Sequence, residues 1–514
     1  MKSIITLLVI TCVLGAADLP LSVTVDESVS IKKADNLLLG HNSDWSALQV
    51  TLTDGVLLPG TTDIDPEVIK LLAGIPLAAS RVAGTTSQEF HWKKAIGPLE
   101  DRTEQKVADW ERAPIKRSFG PVEWVRFSRA VDPAVKLVWC INMFETPEDA
   151  ADLAEFFTGD GRSNPNGGEN WAAKRIALGL TAPEKNILWE LGNELDGIEY
   201  HKKWPSPKKY TDACKAVINA VRAVDPSARF AAFGATLSTL SQYKQIYGGT
   251  WDIWHKAVLR DIGGDIDYLV FHPYYGSAPS VYMSIHERKF LDMMRDDIKA
   301  IAGSDRIKIF LSEYAFWPEQ EDPDKPWKES WYRTHSLEGC LADAEWINRM
   351  ISRPDVTLGT RHCFGGSSAG PWALIYFDKV QKKHYLTGIA DVFAMFNEPL
   401  TANGTVVKCT ADGEKADATR KKCLVTASAI TTASGLSLLL VNRDPENARA
   451  VTFSSKNHYR LTKESKLTSP SVDDVNSVSS RPLARKSRTR SDTEMFSTYT
   501  LPAKSFVILG LTKK

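Results

Sequence analysis

The chain has 514 residues, 43% of them hydrophobic and 25% charged, which is a globular composition. That length predicts two to four domains, or one large barrel with an appendage. Lysine plus arginine and aspartate plus glutamate both number 63, so the net charge is zero and no overall field draws in nucleic acid or another polyanion.

The N-terminus reads MKSIITLLVITCVLGAAD. Lys2, an apolar run from Ile4 to Leu14 and the small Gly15, Ala16 and Ala17 have the layout of an export signal over residues 1–17. The expectation is a secreted or periplasmic chain. No later stretch approaches the ~20 uninterrupted apolar residues of a membrane-spanning helix, so no transmembrane segment is expected. Beyond the signal, Cys140, Cys214, Cys340, Cys363, Cys409 and Cys423 remain, an even set that permits disulfides in an exported chain. Cys409 and Cys423 flank a polar loop and are the expected pair. Cys140 and Cys363 sit in apolar strands and read as buried thiols.

LSVTVDESVSI, from Leu21, reads as a first strand. Eight apolar strands then alternate with amphipathic stretches. They are NLLLGHNS, LAASRVAG, VKLVWCINM, NILWELGN, ARFAAFGA, DYLVFHPYY, IKIFLSEYA and VTLGTRHCF. Near-continuous apolar strands separated by helices indicate a parallel sheet covered on its outer face. Eight such units predict a (β/α)8 TIM barrel over residues 36–395. Afterwards GLSLLLVNRD, ARAVTFSS and KSFVILGLT are strands without helices. An all-β sandwich is expected from residues 396–514, with 18–35 added to it. Residues 465–495, rich in Ser, Arg and Asp, read as a long exposed loop. Within them the basic run RPLARKSRTR, Arg481 to Arg490, is either a solvated loop or a patch for an anionic polysaccharide.

Active sites of such barrels lie at the C-terminal ends of the strands. The fourth strand ends in Asn193 and Glu194, and the seventh in Glu313. The sixth ends in His272, Pro273, Tyr274 and Tyr275. Asp44 ends the first strand, Arg81 lies on the second and His362 on the eighth. Two carboxylates across a barrel mouth suit glycoside hydrolysis, one protonating the leaving oxygen and the other attacking the anomeric carbon or activating water. That chemistry needs no metal and no other cofactor. Arg81 and the Tyr274 hydroxyl are placed to keep Glu313 ionised. Each carboxylate also has a plainer reading, as a neighbour of a helix cap or a surface group. Glu190 reads as a buried structural carboxylate, and His41 as a packed barrel residue. The candidate substrate-binding residues are Asp44, Arg81, Asn193, His272, Tyr274, His362 and Trp372. An inactive carbohydrate-binding barrel is the reading from another class, and the presence of both Glu194 and Glu313 counts against it.

GHNSDW, RVAGTTSQEFHWKKAIGPLEDR, FGPVEW, WELGNELDG and YTDACKAVINAVRAVDPSARFAAFGA resemble segments of clan A glycoside hydrolases. The resemblance is first to the family 51 α-L-arabinofuranosidases and second to the family 79 β-glucuronidases, which include heparanase. It implies Glu194 as acid/base, Glu313 as nucleophile, Asn193 as a contact to the sugar 2-hydroxyl, Tyr274 as the partner of the nucleophile and Asp44 as a sugar contact. The implied partner is a polysaccharide or oligosaccharide substrate. His362 stands where those families carry Gln, and Arg81 is followed by Val-Ala-Gly-Thr in place of paired glycines. For a uronate substrate, Arg361 and Lys379 are the candidate cations.

Overall fold

Proline behind a capping residue opens several of the crossover helices. Asp65, Thr146 and Ser206 cap helices that begin at Pro66, Pro147 and Pro207. Their side-chain oxygens accept from Glu67 N at 2.9 Å, Asp149 N at 3.2 Å and Lys209 N at 3.3 Å. Each cap satisfies an N–H that has no intrahelical partner, and proline at the first position has no N–H to lose. The helix Pro207–Val224 buries Tyr210, Thr211, Cys214, Val217, Ile218 and Val221, one stripe at helical spacing, against the strands.

The computed structural model describes residues 19–45, 55–109, 111–236, 243–276, 286–367, 371–412, 425–491 and 493–514. The expected export signal at 1–17 lies outside these residues, and so does Cys423. Cys140, Cys214, Cys340 and Cys363 are buried thiols.

Eight strands form the barrel: β1 (Gly40–Asp44), β2 (Ala79–Ala83), β3 (Lys136–Cys140), β4 (Leu188–Glu190), β5 (Arg229–Thr236), β6 (Tyr268–His272), β7 (Lys308–Phe316) and β8 (Val356–His362). Each pairs in parallel with the next. The ring closes where β8 pairs with β1, Thr360 beside Gly40 and His362 beside Asn42. Gly40 is required by this closure: a Cβ there would lie 2.6 Å from Gly359 O and 2.8 Å from Ala79 Cβ. The fold is the expected (β/α)8 barrel with an all-β domain.

That domain is one nine-stranded sheet among the described residues. The N-terminal strand Leu19–Lys33 lies between Thr405–Asp412, antiparallel to it, and Arg449–Ser455, parallel to it. The sheet curls around its own core, which includes Val23, Val407, Leu438, Leu440, Val507 and Leu509. Its other face, with Leu439, Val441, Leu467, Phe506 and Ile508, joins the barrel's hydrophobic core. Phe506 stacks on Phe396 of the helix Gly388–Leu400, with centroids 4.6 Å apart. Arg443 pairs with Glu345 at 3.1 Å across the same interface, with both side chains buried.

Residues 465–495 differ from the expected exposed loop. Tyr459–Thr468 is a strand that runs into this segment, and Lys486–Thr489 is a short one within it. Leu483 and Asn476 are buried between them. One apolar side chain therefore anchors a stretch whose composition looks solvated.

Phe506→Ala should lower the unfolding free energy by about 3–5 kcal/mol, as expected for truncating a buried aromatic ring. The readout is the midpoint of urea unfolding, with native circular dichroism unchanged before the transition. A loss below about 1 kcal/mol would show that this contact does little to join the sheet to the barrel.

Candidate active site

The chain leaves β4 by a sharp backward turn. Gly192 has φ of 85° and Glu194 has φ of 50°, both left-handed. A Cβ on Gly192 would lie 2.4 Å from Leu195 Cδ1, so the turn needs glycine there. Glu194 holds its left-handed backbone at a cost of about 1 kcal/mol or more. Neighbours hold the turn in place: Tyr210 donates its hydroxyl to Leu191 O at 2.7 Å, and Gln88 Nε2 donates to Asn193 O at 2.8 Å.

Beneath the turn lies Arg81 on β2, fully buried. A guanidinium has five N–H donors, and all are used. Nε and Nη2 grip Glu190 at 2.5 and 3.0 Å. Nη1 donates to Asn42 Oδ1 and to Glu313 Oε1, both at 2.9 Å. Nη2 also donates to Asn193 Oδ1 at 2.8 Å. The last bond fixes the Asn193 amide with its oxygen toward Arg81, leaving the NH2 as donor for another group.

Glu313 on β7 is 5% exposed. Tyr274 donates its hydroxyl to Glu313 Oε2 at 2.7 Å. Burial alone would raise the Glu313 pKa. The charges of His272 and Arg81, with the Tyr274 hydrogen bond, outweigh it and hold the Glu313 carboxyl below the usual carboxylate range. This group stays an anion through the working pH range. Burial and the adjacent Glu313 push the Tyr274 phenol well above its ordinary value, so it keeps the proton it donates.

His272 sits between the two strand-end glutamates. Its Nδ1 lies 2.8 Å from Glu194 Oε1, and its Nε2 lies 2.7 Å from Ser312 Oγ. Burial works to lower its pKa, but Glu313 and Glu194 prevail and raise it. Atoms of Glu194, His272 and Glu313 all lie within 4.8 Å of one another. Such a set has the ligand types of a metal site. Here its atoms bond to one another, to Arg81, to Tyr274 and to Ser312. The arrangement sets the Glu313 carboxylate and the hydrogen-bonded His272–Glu194 pair within 4.8 Å of each other.

Asn42 on β1 is one residue that the sequence reading missed. It shares the inward face of the strand with Asp44, two positions on, and that period of two was the available signal. Its oxygen is taken by Arg81, so its Nδ2 is the donor. It reaches His362 Nδ1 at 2.8 Å and Glu313 Oε1 at 3.4 Å. His362 Nδ1 is therefore an acceptor, and the ring proton lies on Nε2.

Asp44 ends β1, half-buried, and its charge acts on His362. Trp372 is 9% exposed, and its indole N–H is spent on Phe316 O at 2.7 Å. Its ring backs His362 at 5.3 Å and Tyr274 at 5.9 Å. The open ring is Trp317 instead, 44% exposed, at 5.0 Å from Trp372 and stacked on Trp327 at 4.8 Å. Its signal was its place just past Glu313 in SEYAFW. Arg361 is fully buried in an ion pair with Asp343 and bonded to Trp372 O, so it is committed away from any uronate. Glu190 is the buried structural carboxylate expected. His41 is packed against Phe393 at 4.5 Å, with neither ring nitrogen bonded.

Comparison with known proteins adds three findings. The family model described as "Alpha-L-arabinofuranosidase 1 domain" matches residues 62–256. An intracellular exo-α-(1→5)-L-arabinofuranosidase of Acetivibrio thermocellus is 24% identical over 329 residues, 59% of this chain and 61% of the relative. The match thus spans about three fifths of that relative's length. Among solved structures, the α-L-arabinofuranosidase of Thermotoga maritima, an arabinose complex, superposes with a TM-score of 0.78 at 19% identity, covering 96% of this chain and all of that one. A family 51 α-L-arabinofuranosidase from Bifidobacterium longum gives 0.77 at 19% identity, covering 95% of this chain and 99% of that one. At these identities the structures show a shared fold. The expected secreted or periplasmic location is overturned: five of the curated relatives are named intracellular enzymes. In sequence and in fold, the chain resembles the family 51 α-L-arabinofuranosidases of glycoside hydrolase clan A.

Proposed function

We propose that this chain is a retaining glycoside hydrolase that releases terminal arabinofuranosyl units from polysaccharide or oligosaccharide. The observation that carries this reading is the pair of strand-end carboxylates with oxygens within 4.8 Å of each other. That is near the ~5–5.5 Å of retaining enzymes and short of the roughly 6.5–9.5 Å that inverting enzymes need to seat a water.

Glu313 attacks the anomeric carbon, and the bond to the leaving oxygen breaks. The proton held in the Glu194–His272 pair passes to that oxygen as it departs. Arg81 and Tyr274 aim the attacking oxygen and remain as donors to the ester formed. Water then enters, Glu194 takes its proton, and the hydroxide displaces Glu313. The Asn193 NH2 donates to the hydroxyl beside the anomeric carbon. His362 presents its Nε2–H to the bound sugar, and Trp317 offers a ring face.

The substrate assignment is tested with aryl glycosides: the arabinofuranoside should be hydrolysed, and the glucuronide, xyloside and galactoside should not. Glu194→Ala should slow poor leaving groups far more than good ones, with azide restoring activity on the latter. Glu313→Gln should lower kcat by several orders of magnitude, on the scale of losing a nucleophile, with sugar binding largely kept. A product of inverted configuration would overturn the mechanism.

The acid limb of kcat/KM should belong to His362. Protonating Nδ1 would set an N–H against the Asn42 N–H and a cation 3.9 Å from Glu313 Oε2. Burial lowers the His362 pKa below its ordinary 6.5, opposed by Glu313 and Asp44 and aided by Arg361 and Arg81. Activity is therefore intact above that lowered value and falls as the pH drops through it, while Glu313 remains ionised. His362→Gln keeps an acceptor for Asn42 and does not titrate, so it should move the limb to lower pH. An unmoved limb would assign it elsewhere. Nitrogen-15 shifts at neutral pH should show the ring proton on Nε2.

A further inference from the structure

A groove of about 860 Å³ lies apart from the barrel mouth, where the first and last barrel helices meet the all-β domain. None of the active-site residues lines it. Its floor is apolar, with Leu71, Ile75, Phe377, Leu386 and Ala394. Its rims are cationic and come from two separate segments. One is the hairpin of Ile375–Asp378 and Lys383–Leu386, which carries Lys382 and Lys383. The other is the loop of Arg481 and Arg485, the front half of the basic run.

This loop is held in place and is not a solvated tether. Leu483 is fully buried, and its N–H donates to Asn476 Oδ1 at 3.0 Å. Arg481 pairs with Asp391 at 2.7 Å, and the Arg485 backbone N–H donates to the same carboxylate at 3.2 Å. Asp391 is thereby used up in positioning the loop. Glu67 has Lys70 at 3.8 Å, and Asp65 caps its helix. The side chains of Lys382, Lys383 and Arg485 have no acidic partner among the described residues. The rear of the basic run is different: Arg488 pairs with Glu464 at 2.9 Å on the sheet.

We propose that this groove is an accessory binding site for a carboxylate-bearing polysaccharide, a run of uronate units. The apolar floor accepts the C–H faces of sugar rings, and the two cationic rims accept carboxylates projecting from the ring edges. The volume falls within the roughly 300–1,000 Å³ of small-ligand sites, enough for a few sugar units. Single-stranded nucleic acid is less suited: its binding relies on several aromatic platforms for successive bases, and the lining offers one aromatic ring, Phe377, besides His384. The site complements a mouth whose own arginines, Arg81 and Arg361, are both consumed by buried carboxylates. Under the proposed function, which this inference extends, the mouth takes a neutral terminal sugar while the groove holds an acidic main chain.

The test is native affinity electrophoresis and calorimetry of the full chain with polygalacturonate, beside neutral arabinan and single-stranded DNA. Polygalacturonate should retard the protein at low salt, and the retardation should fade steeply as salt rises. Replacing Lys382, Lys383 and Arg485 together with Ala should weaken binding by about tenfold or more, from the sum of three exposed contacts. The same variant should hydrolyse an aryl arabinofuranoside as the native chain does, since none of the three reaches the mouth. No retardation of the native chain, or retardation unaffected by the triple substitution, would overturn the proposal. Equal retardation by DNA would overturn the uronate assignment in favour of general anion capture. Failure to hydrolyse the arabinofuranoside with binding intact would count against the proposed function and leave the groove standing.

Discussion

Arg81 is the residue on which the mouth of this barrel depends. It is fully buried, and it ties β1, β2, the end of β4 and β7 together through Asn42, Glu190, Asn193 and Glu313. Two carboxylates around one guanidinium are tolerable in a low-dielectric interior only because the geometry is complete. Removing the arginine would take from Glu190 its ion-pair partner, leave Glu313 to Tyr274 and His272, and release the Asn193 and Asn42 amides from their fixed orientations. Glu190 takes no part in the proposed chemistry, but it holds the guanidinium from below so that Nη1 meets Glu313. One charge network thus settles Glu313 ionisation, amide orientation and the His362 tautomer together.

The second constraint is the exit from β4. A strand running straight on would carry Glu194 up and away from β7. Two left-handed residues fold it back over the mouth instead, so that it reaches His272. The strain of a left-handed glutamate is absorbed by the Tyr210 and Gln88 hydrogen bonds and by buried Leu195. Asn193 and Glu194 are consequently held on one rim while Glu313 and Tyr274 face them from the other.

The all-β domain supports this arrangement from behind. The helix Leu337–Ile351 is buried along nearly its whole length, as is Gly388–Leu400, because the sheet covers the side that solvent would otherwise wet. Both helices are therefore buried on more than one stripe, and the charged groups this encloses, Asp343 and Glu345, are paired with Arg361 and Arg443. The same contact creates the groove lined by Phe377 and Arg481, since barrel and sheet leave a cleft where their surfaces diverge.

The barrel was legible in the sequence because its signals are local. Apolar runs of strand length and the amphipathic stretches between them each state a conformation within a few residues. Position at a strand end was enough to single out Glu194 and Glu313, because the fold sends every such end to one mouth. What lay beyond the sequence were pairings between residues far apart in the chain. Asn42 gains its role from Arg81 and His362, Arg361 loses a role to Asp343, and Trp372 cedes the open face to Trp317. The basic run around Arg481 left a solvated loop and an anionic-polysaccharide patch both open, and only the burial of Leu483 shows that its loop is held in place. Local sequence specifies which way each backbone segment turns. Only tertiary packing decides which charges meet, because Coulomb and hydrogen-bond partners are chosen by distance in space, and the closed barrel brings residues hundreds of positions apart to within 3 Å.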